Sequence, residues 1–412
     1  MADVKIYATE PERESAVLLG VHVQKDQVYD FESTMEELHA LSDTCKLDVS
    51  MQFTQNKAQI DQRYYVGKGK LDEVKDYVTF NDIDVVVVND ELTAAQSKHL
   101  NAVLEVKIID RTQLILEIFA MRAHSKEGKL QVERAQLEYL LPRLQGHGKS
   151  LSRLGGGIGT RGPGETKLEL DRRHIRTRIN EIKRQLETVE AHRARYRDKR
   201  RQNQVFHVAL VGYTNAGKSS WFNVLANEAT YEKDQLFATL DPKTRQIQIN
   251  GGFNLIISDT VGFIQKLPTT LIEAFKSTLE EAKNADVLLH VVDASHPQYR
   301  TQYDTVQEII ADLDMAHIEQ VVVFNKKDSC DVSEIPISPF PNVFVSSRDA
   351  SDRTEVITLV REAVKRLLTY YEETVPASDA NRLYFLKQNT MVTSLIFDET
   401  TSSYHVTGYK TN

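Results

Sequence analysis

"QVFHVALVGYTNAGKSS", residues 204–220, runs from an apolar stretch into a loop framed by glycines and closed by Lys218 and Ser219. "HVALV" has the length and β-branched content of a buried strand. The loop fits G-x-x-x-x-G-K-[ST], with Gly212, Gly217, Lys218 and Ser219 in register and Tyr213, Thr214, Asn215 and Ala216 between the glycines. At the start of a helix, the N–H groups of such a loop wrap the α- and β-phosphates of a nucleotide, because glycine lets the backbone come close. Lys218 then meets the β- and γ-phosphates, the Ser219 hydroxyl ligates Mg²⁺, and Ser220 follows at the helix entry. The alternative for this stretch alone is a glycine turn with an incidental lysine.

Two later stretches argue against that alternative. "DTVGF" at 259–263 follows the strand-like "FNLIIS" and offers Asp259 to a Mg²⁺ shell and the Gly262 N–H to a γ-phosphate. "NKKD" at 325–328 follows "QVVVF", which puts Asn325, Lys326 and Asp328 at the carboxyl end of a strand, where open α/β sheets bind ligands. A carboxylate at Asp328 accepts from both N1–H and the exocyclic amine of guanine, a donor pair adenine lacks. Three patterns in this order, each after an apolar strand, point to GTP.

Working outward, strands near 254–259, 286–292, 320–324 and 343–346 and a helix at 352–368 complete a P-loop domain over 204–370, built on a mainly parallel sheet. Residues 371–412 alternate as "YFLK", "VTSLIFD" and "SYHVTGY" and are expected to form a small β-rich C-terminal domain. Residues 1–125 alternate strand-like and helix-like segments ("AVLLGVHV" at 16–23, "LDVSMQF" at 47–53, "IDVVVVND" at 83–90, "VKIID" at 106–110), which predicts an N-terminal α/β unit. Over 126–203, apolar residues at Leu130, Leu137, Leu141 and Leu144, and again at Leu168, Ile175, Ile179, Ile182, Leu186, Val189 and Tyr196, mark one stripe on each of two helices. The expected arrangement is an antiparallel helical hairpin with the Gly-rich segment 145–166 at its tip.

That segment holds 8 of the 18 glycines. "GIGTRG" at 157–162 formally matches a dinucleotide loop, but no apolar strand precedes it, and the helix after it has coiled-coil spacing. The flanking charge suggests a different role. Residues 143–201 carry 17 Lys/Arg against 7 Asp/Glu, or +10, in a chain whose formal charge is −8, leaving −18 elsewhere. A basic arm on an acidic body suits a polyanion, with Lys149, Arg153 and Arg161 presented at the tip to meet RNA phosphates and bases. A solvated charged helix is the plainer account. "VGKGK" at 66–70 places Lys68 and Lys70 before a helix as further candidates for RNA contact, or as a solvated turn.

Length predicts several domains. Apolar runs are strand-sized, which predicts no membrane span or signal peptide. Cys45 and Cys330, without ligand spacing, fit a reducing compartment and hence the cytoplasm.

The ordered motifs resemble those of the translation-factor-related GTPases. More narrowly, "RYYVGKGK" at 63–70, "YLLPRL" at 139–144, "GGGIGTRGPGETKLELDRR" at 155–173, "GYTNAGKSS", "FATLDP" at 237–242 and "DTVGFI" resemble the HflX family over about 15–345. The resemblance implies a ribosome-associated GTPase that binds the large ribosomal subunit through its RNA and dissociates or rescues ribosomes, with hydrolysis stimulated by the ribosome. A monomer is expected. It further implies that "FATLDP" is the first switch, with Phe237 beside the nucleotide and Thr239 closing on Mg²⁺, and that Ser346, Ser347 and Arg348 back the base, although a serine followed by alanine and lysine is the usual form there. Lys218, Thr239 and Gly262 become the catalytic set, and Ser219, Thr239 and Asp259 the metal ligands. In cation-dependent relatives an asparagine at the position of Asn215 helps hold K⁺.

Phe263 stands where many GTPases carry a water-orienting glutamine. A phenyl ring cannot position water, which predicts slow intrinsic turnover completed by an outside element. Phe263 also has a plain reading as a core residue. Two other functions remain open at this point: a GTP-regulated scaffold for a protein partner, and an ATP- or GTP-dependent RNA remodeller driven from the N-terminal unit.

Overall fold

The structure is a computed structural model and describes residues 13–24, 30–144, 167–202, 205–227, 236, 237, 239–249, 253–266, 281–330 and 336–411. The chain divides into two compact units. One comprises Met1–Met121, Lys129–Arg184 and Lys266–Leu271, the other Arg122–Gly128, Gln185–Gln265 and Ile272–Asn412.

In the first unit, β1 (Ser15–Val23), β2 (Asp48–Lys57), β3 (Val85–Val88) and β4 (Lys107–Asp110) form a sheet in the order β2-β1-β3-β4, every neighbouring pair parallel. The connections are helical: α1 (Phe31–Thr44), α2 (Lys68–Phe80) and α3 (Ala94–Leu104), followed by α4 (Arg111–Arg122). "VVVV" reads as a continuous apolar run because β3 lies inside the sheet, and all four side chains are fully buried. Local chemistry sets the helix starts: the Asp30 side chain caps α1, and Thr93 and Gln96 form a reciprocal capping box at α3. Leu71, Val74 and Val78 of α2 and Leu100 and Leu104 of α3 seal one sheet face.

The two apolar stripes over 126–203 form long helices, α5 (Lys126–Arg143) and α6 (Lys167–Gln202). Ion pairs join them, with Arg178 bidentate to Glu133 (2.7 and 2.9 Å) and Lys183 near Glu138 (3.5 Å). Ile179 and Ile182 are buried as their spacing predicts. The Gly-rich segment 145–166, with Lys149, Arg153 and Arg161, lies outside the described residues.

The second unit carries a six-stranded sheet, in the order β10-β9-β8-β5-β7-β6, from β5 (Phe206–Gly212), β6 (Lys243–Ile249), β7 (Phe253–Asp259), β8 (Val287–Asp293), β9 (Glu319–Asn325) and β10 (Asn342–Phe344). Only β6 runs antiparallel, paired edge-on with β7. Around the sheet lie α7 (Lys218–Ala226), α8 (Tyr299–Asp312) and α9 (Asp352–Leu367). Its core is built from Val208 and Leu210 of β5, Leu289 and Val291 of β8, Trp221 and Phe222 of α7, and Val356 and Val360 of α9.

The C-terminal stretch differs from expectation. "YFLK" is not a strand but lies in α10 (Ala380–Asn389), whose start is capped by Asp379 accepting from Arg382 N–H at 2.9 Å. The sheet around it is antiparallel, β11 (Thr369–Pro376), β13 (Ser403–Lys410) and β12 (Met391–Asp398) in spatial order. Tyr371, Val375, Leu386 and Val406 make its small core, while Met391 joins the core of the larger sheet.

Candidate functional site

β5 is buried along its whole length and ends at Gly212, the fourth of six strands from one edge, so the loop that follows leaves the sheet near its middle. Gly212 takes φ +150°, and a Cβ there would collide with the Val291 carbonyl. Gly217 takes φ +94°, and a Cβ would collide with the Asn325 amide. Each therefore demands glycine on two grounds, backbone angle and space. Asn215 at φ +61° occupies the left-handed region that asparagine tolerates, with its side chain exposed.

Lys218, the first residue of α7, is buried, and its ammonium donates to the carbonyls of Gly212 (3.1 Å) and Tyr213 (2.7 Å). It thereby lies along the inside of the loop it follows. Burial lowers its pKa to about 8, against the opposing pull of the Asp259 carboxylate. Burial raises Asp259, with Lys218 and the Ser219 hydroxyl countering.

Ser219 Oγ donates to Asp259 Oδ2 (2.7 Å) and lies 2.9 Å from Thr239 Oγ1. Three oxygen-bearing side chains from the P-loop helix, the end of β7 and the segment before β6 thus converge. Among the described residues, Asp259 Oδ1 is buried without a hydrogen-bond partner, as is Thr214 Oγ1. A hard oxygen donor set with an orphaned carboxylate oxygen fits a Mg²⁺ ion.

"DTVGF" is knitted to the P-loop by backbone bonds: Phe263 N–H to Gly212 O (3.1 Å) and Thr214 N–H to Phe263 O (2.7 Å). A Cβ on Gly262 would sit 2.8 Å from Thr214 Cα and 2.9 Å from Lys218 Nζ. Phe263 itself is buried, the core residue of its plain reading. Tyr213 is also structural, its hydroxyl accepting from Gln265 N–H at 2.8 Å. Phe237 is buried at φ +53°.

The residues expected to recognise the base gather at the ends of β9 and β10. Asp328 Oδ1 accepts from Ser346 Oγ (2.6 Å) and Oδ2 from Arg348 (3.2 Å). The Ser346 hydroxyl, more than the neighbouring guanidinium, holds this carboxyl below the usual range. Asn325 is fully buried and its amide spans two loops, donating to Ala216 O (2.9 Å) and accepting from Ser347 N–H (3.1 Å). Lys326, at φ +64°, pairs with Asp293 at 2.6 Å. Sequence inspection passed over Asp293. Its position at the end of β8 was the available signal.

The candidates in the first unit stand apart in character. Lys68 opens α2 and is exposed, whereas Lys70 pairs with Glu73 (2.7 Å) and lies over the Phe53 ring. Gly67 N–H is already taken by Gln55 Oε1 at 2.8 Å. Among the described residues no helix is long and apolar enough to cross a membrane.

Comparison with known proteins finds three families matched in succession along the chain. Residues 32–120 match the family described as GTP-binding GTPase N-terminal, 122–200 the GTP-binding GTPase Middle Region, and 207–326 the 50S ribosome-binding GTPase family. "GTPase HflX" of Alkalihalophilus pseudofirmus is 48% identical over 396 residues, covering 96% of this chain and 93% of that one. Its counterpart from Caldanaerobacter subterraneus subsp. tengcongensis is 46% identical, covering 94% and 89%. The Escherichia coli (strain K12) protein of the same name is 42% identical over 76% of this chain and 73% of its own.

Proposed function

The chain belongs to the HflX family of GTPases and hydrolyses GTP, and from that premise we propose that it works on the large ribosomal subunit, where its basic hairpin meets ribosomal RNA and dissociates or rescues ribosomes. The match of the P-loop region to a family described as 50S ribosome-binding carries this reading. The excess of basic residues over 143–201 supports it.

In this reading the N–H groups of residues 212–219 receive the phosphates, Lys218 turns from its carbonyl partners toward the β- and γ-phosphates, and the Gly262 N–H meets the γ-phosphate. Ser219, Thr239 and Asp259 would hold Mg²⁺, which when bound neutralises charge on the β- and γ-phosphates. Asp328 selects guanine, and Ser346 fixes the carboxylate for that task. Asn325 acts by holding the P-loop and the 346–348 loop at one separation. Because Phe263 is buried and offers no polar group, intrinsic hydrolysis is slow and the ribosome completes the site.

Co-sedimentation with large subunits in a non-hydrolysable GTP analogue and in GDP, over a salt series, tests the proposal. Binding that needs the triphosphate and weakens steeply with salt is expected. Equal binding in both nucleotides, or none, would leave the scaffold as the better account. Nucleotide hydrolysis that survived Lys218→Ala would favour an N-terminal remodeller instead.

A further inference from the structure

Asp241 lies two residues after Thr239, and its carboxylate is taken up by chain more than a hundred positions earlier. Its Oδ2 accepts the N–H groups of His124 (2.9 Å) and Ser125 (2.7 Å), and its Oδ1 accepts the Ser125 hydroxyl. Ser125 Oγ in turn accepts from Gly128 N–H (2.8 Å), the bond of an N-cap at the start of α5. Gly128 completes the socket by having no side chain, since a Cβ there would collide with Asp241 Oδ1 and approach Ser125 Oγ at 3.1 Å.

The stretch between socket and switch is short and stiff. Leu240 is buried, and Pro242 fixes its own φ and confines Asp241 to extended backbone. β6 then begins at Lys243, directly opposite Asp259 in the antiparallel register. Thr239 is therefore placed from its C-terminal side by an anchored carboxylate, a buried leucine and a strand register. Burial would raise the Asp241 pKa, but the Ser125 hydroxyl and the two N–H groups outweigh it and keep the group ionised.

We propose that Asp241 is a positioning residue for GTP hydrolysis, seated in a socket of His124, Ser125 and Gly128 so that Thr239 is held beside Ser219 and Asp259. This rests on Thr239 being the switch threonine that senses the γ-phosphate. The socket lies wholly within the second unit, in its segment Arg122–Gly128.

The test compares steady-state GTP hydrolysis with affinity for a fluorescent GDP, which has no γ-phosphate for Thr239 to sense, in the full-length chain. Asp241→Ala and Ser125→Ala are expected to lower kcat about tenfold, the scale of one charge-assisted bond, with GDP affinity unchanged. Ser125→Thr, which keeps the hydroxyl, restores the rate. Gly128→Ala, a change that favours a helix, slows hydrolysis in the same way because the methyl displaces Asp241. Wild-type rates in the Asp241, Ser125 and Gly128 variants alongside a slow Thr239→Ala would overturn the socket. A wild-type rate in Thr239→Ala would overturn its premise, and GDP affinity falling in step with kcat would reduce Asp241 to a general structural part.

Discussion

Under the proposed function, Asp328 is the single carboxylate that decides the base. Ser346 and Arg348 hold its two oxygens while leaving it acceptor-only, and that suits the donor pair of guanine. Asp328→Asn puts a donor where an acceptor stood, so affinity for GTP falls on the order of a hundredfold while binding of xanthosine triphosphate appears, checked by competition against a fluorescent nucleotide. His290 makes a prediction of a different kind. Its ring stacks on Tyr303 (5.0 Å) and bonds Gln307 (3.2 Å), and burial, with Lys218 adding, lowers its pKa from 6.5 to about 3. The imidazole is neutral in the fold, so its contribution to stability is whole above 6.5 and is lost as pH falls toward 3. Urea unfolding should weaken by up to about 1.4 kcal/mol per pH unit below 6.5, with a shallower slope in His290→Gln. The candidate phosphate-facing residues stand out in the sequence because a polyphosphate demands consecutive N–H groups, which only a contiguous motif supplies. Asn325 and Asp241 act across 109 and 116 positions, and no local pattern announces such partners.

Under the proposed function, the strand-loop-helix unit from β5 to α7 carries the chemistry, and the glycines within it and packed against it set the tolerance. Gly262→Ala forces the loop after β7 away from Thr214 and Lys218, so GTP hydrolysis should fall at least tenfold while GDP still binds, measured by single-turnover kinetics. Trp221 on α7 is fully buried in the sheet core, and Trp221→Ala should cost about 3–5 kcal/mol in a denaturant titration. Elements with clear apolar runs, such as β3, β5 and β9, were readable from the chain. β6 was not, because "KTRQIQI" is a half-exposed edge strand whose alternation is mostly polar. α10 was misread because "YFLK" is apolar enough for a strand. The deciding signal was Asp379 at the cap, outside that run.

For the whole molecule, the uneven charge is the property that, under the proposed function, ties nucleotide to partner. A segment of +10 within a chain of −8 suits a polyanionic partner, while an acidic remainder would limit unselective adsorption. The helices and strands of each unit were legible where their apolar residues keep one periodicity, whereas no periodicity in the sequence assigns a partner to residues 145–166. The most direct measurement is GTP hydrolysis in KCl, with and without large ribosomal subunits, for the natural chain and one in which 146–166 is replaced by a short Gly/Ser linker. Running both in NaCl as well tests whether K⁺ near Asn215 contributes, with slower hydrolysis in NaCl expected. The account predicts strong stimulation by the subunits and its loss in the linker variant. No stimulation of either protein would contradict it.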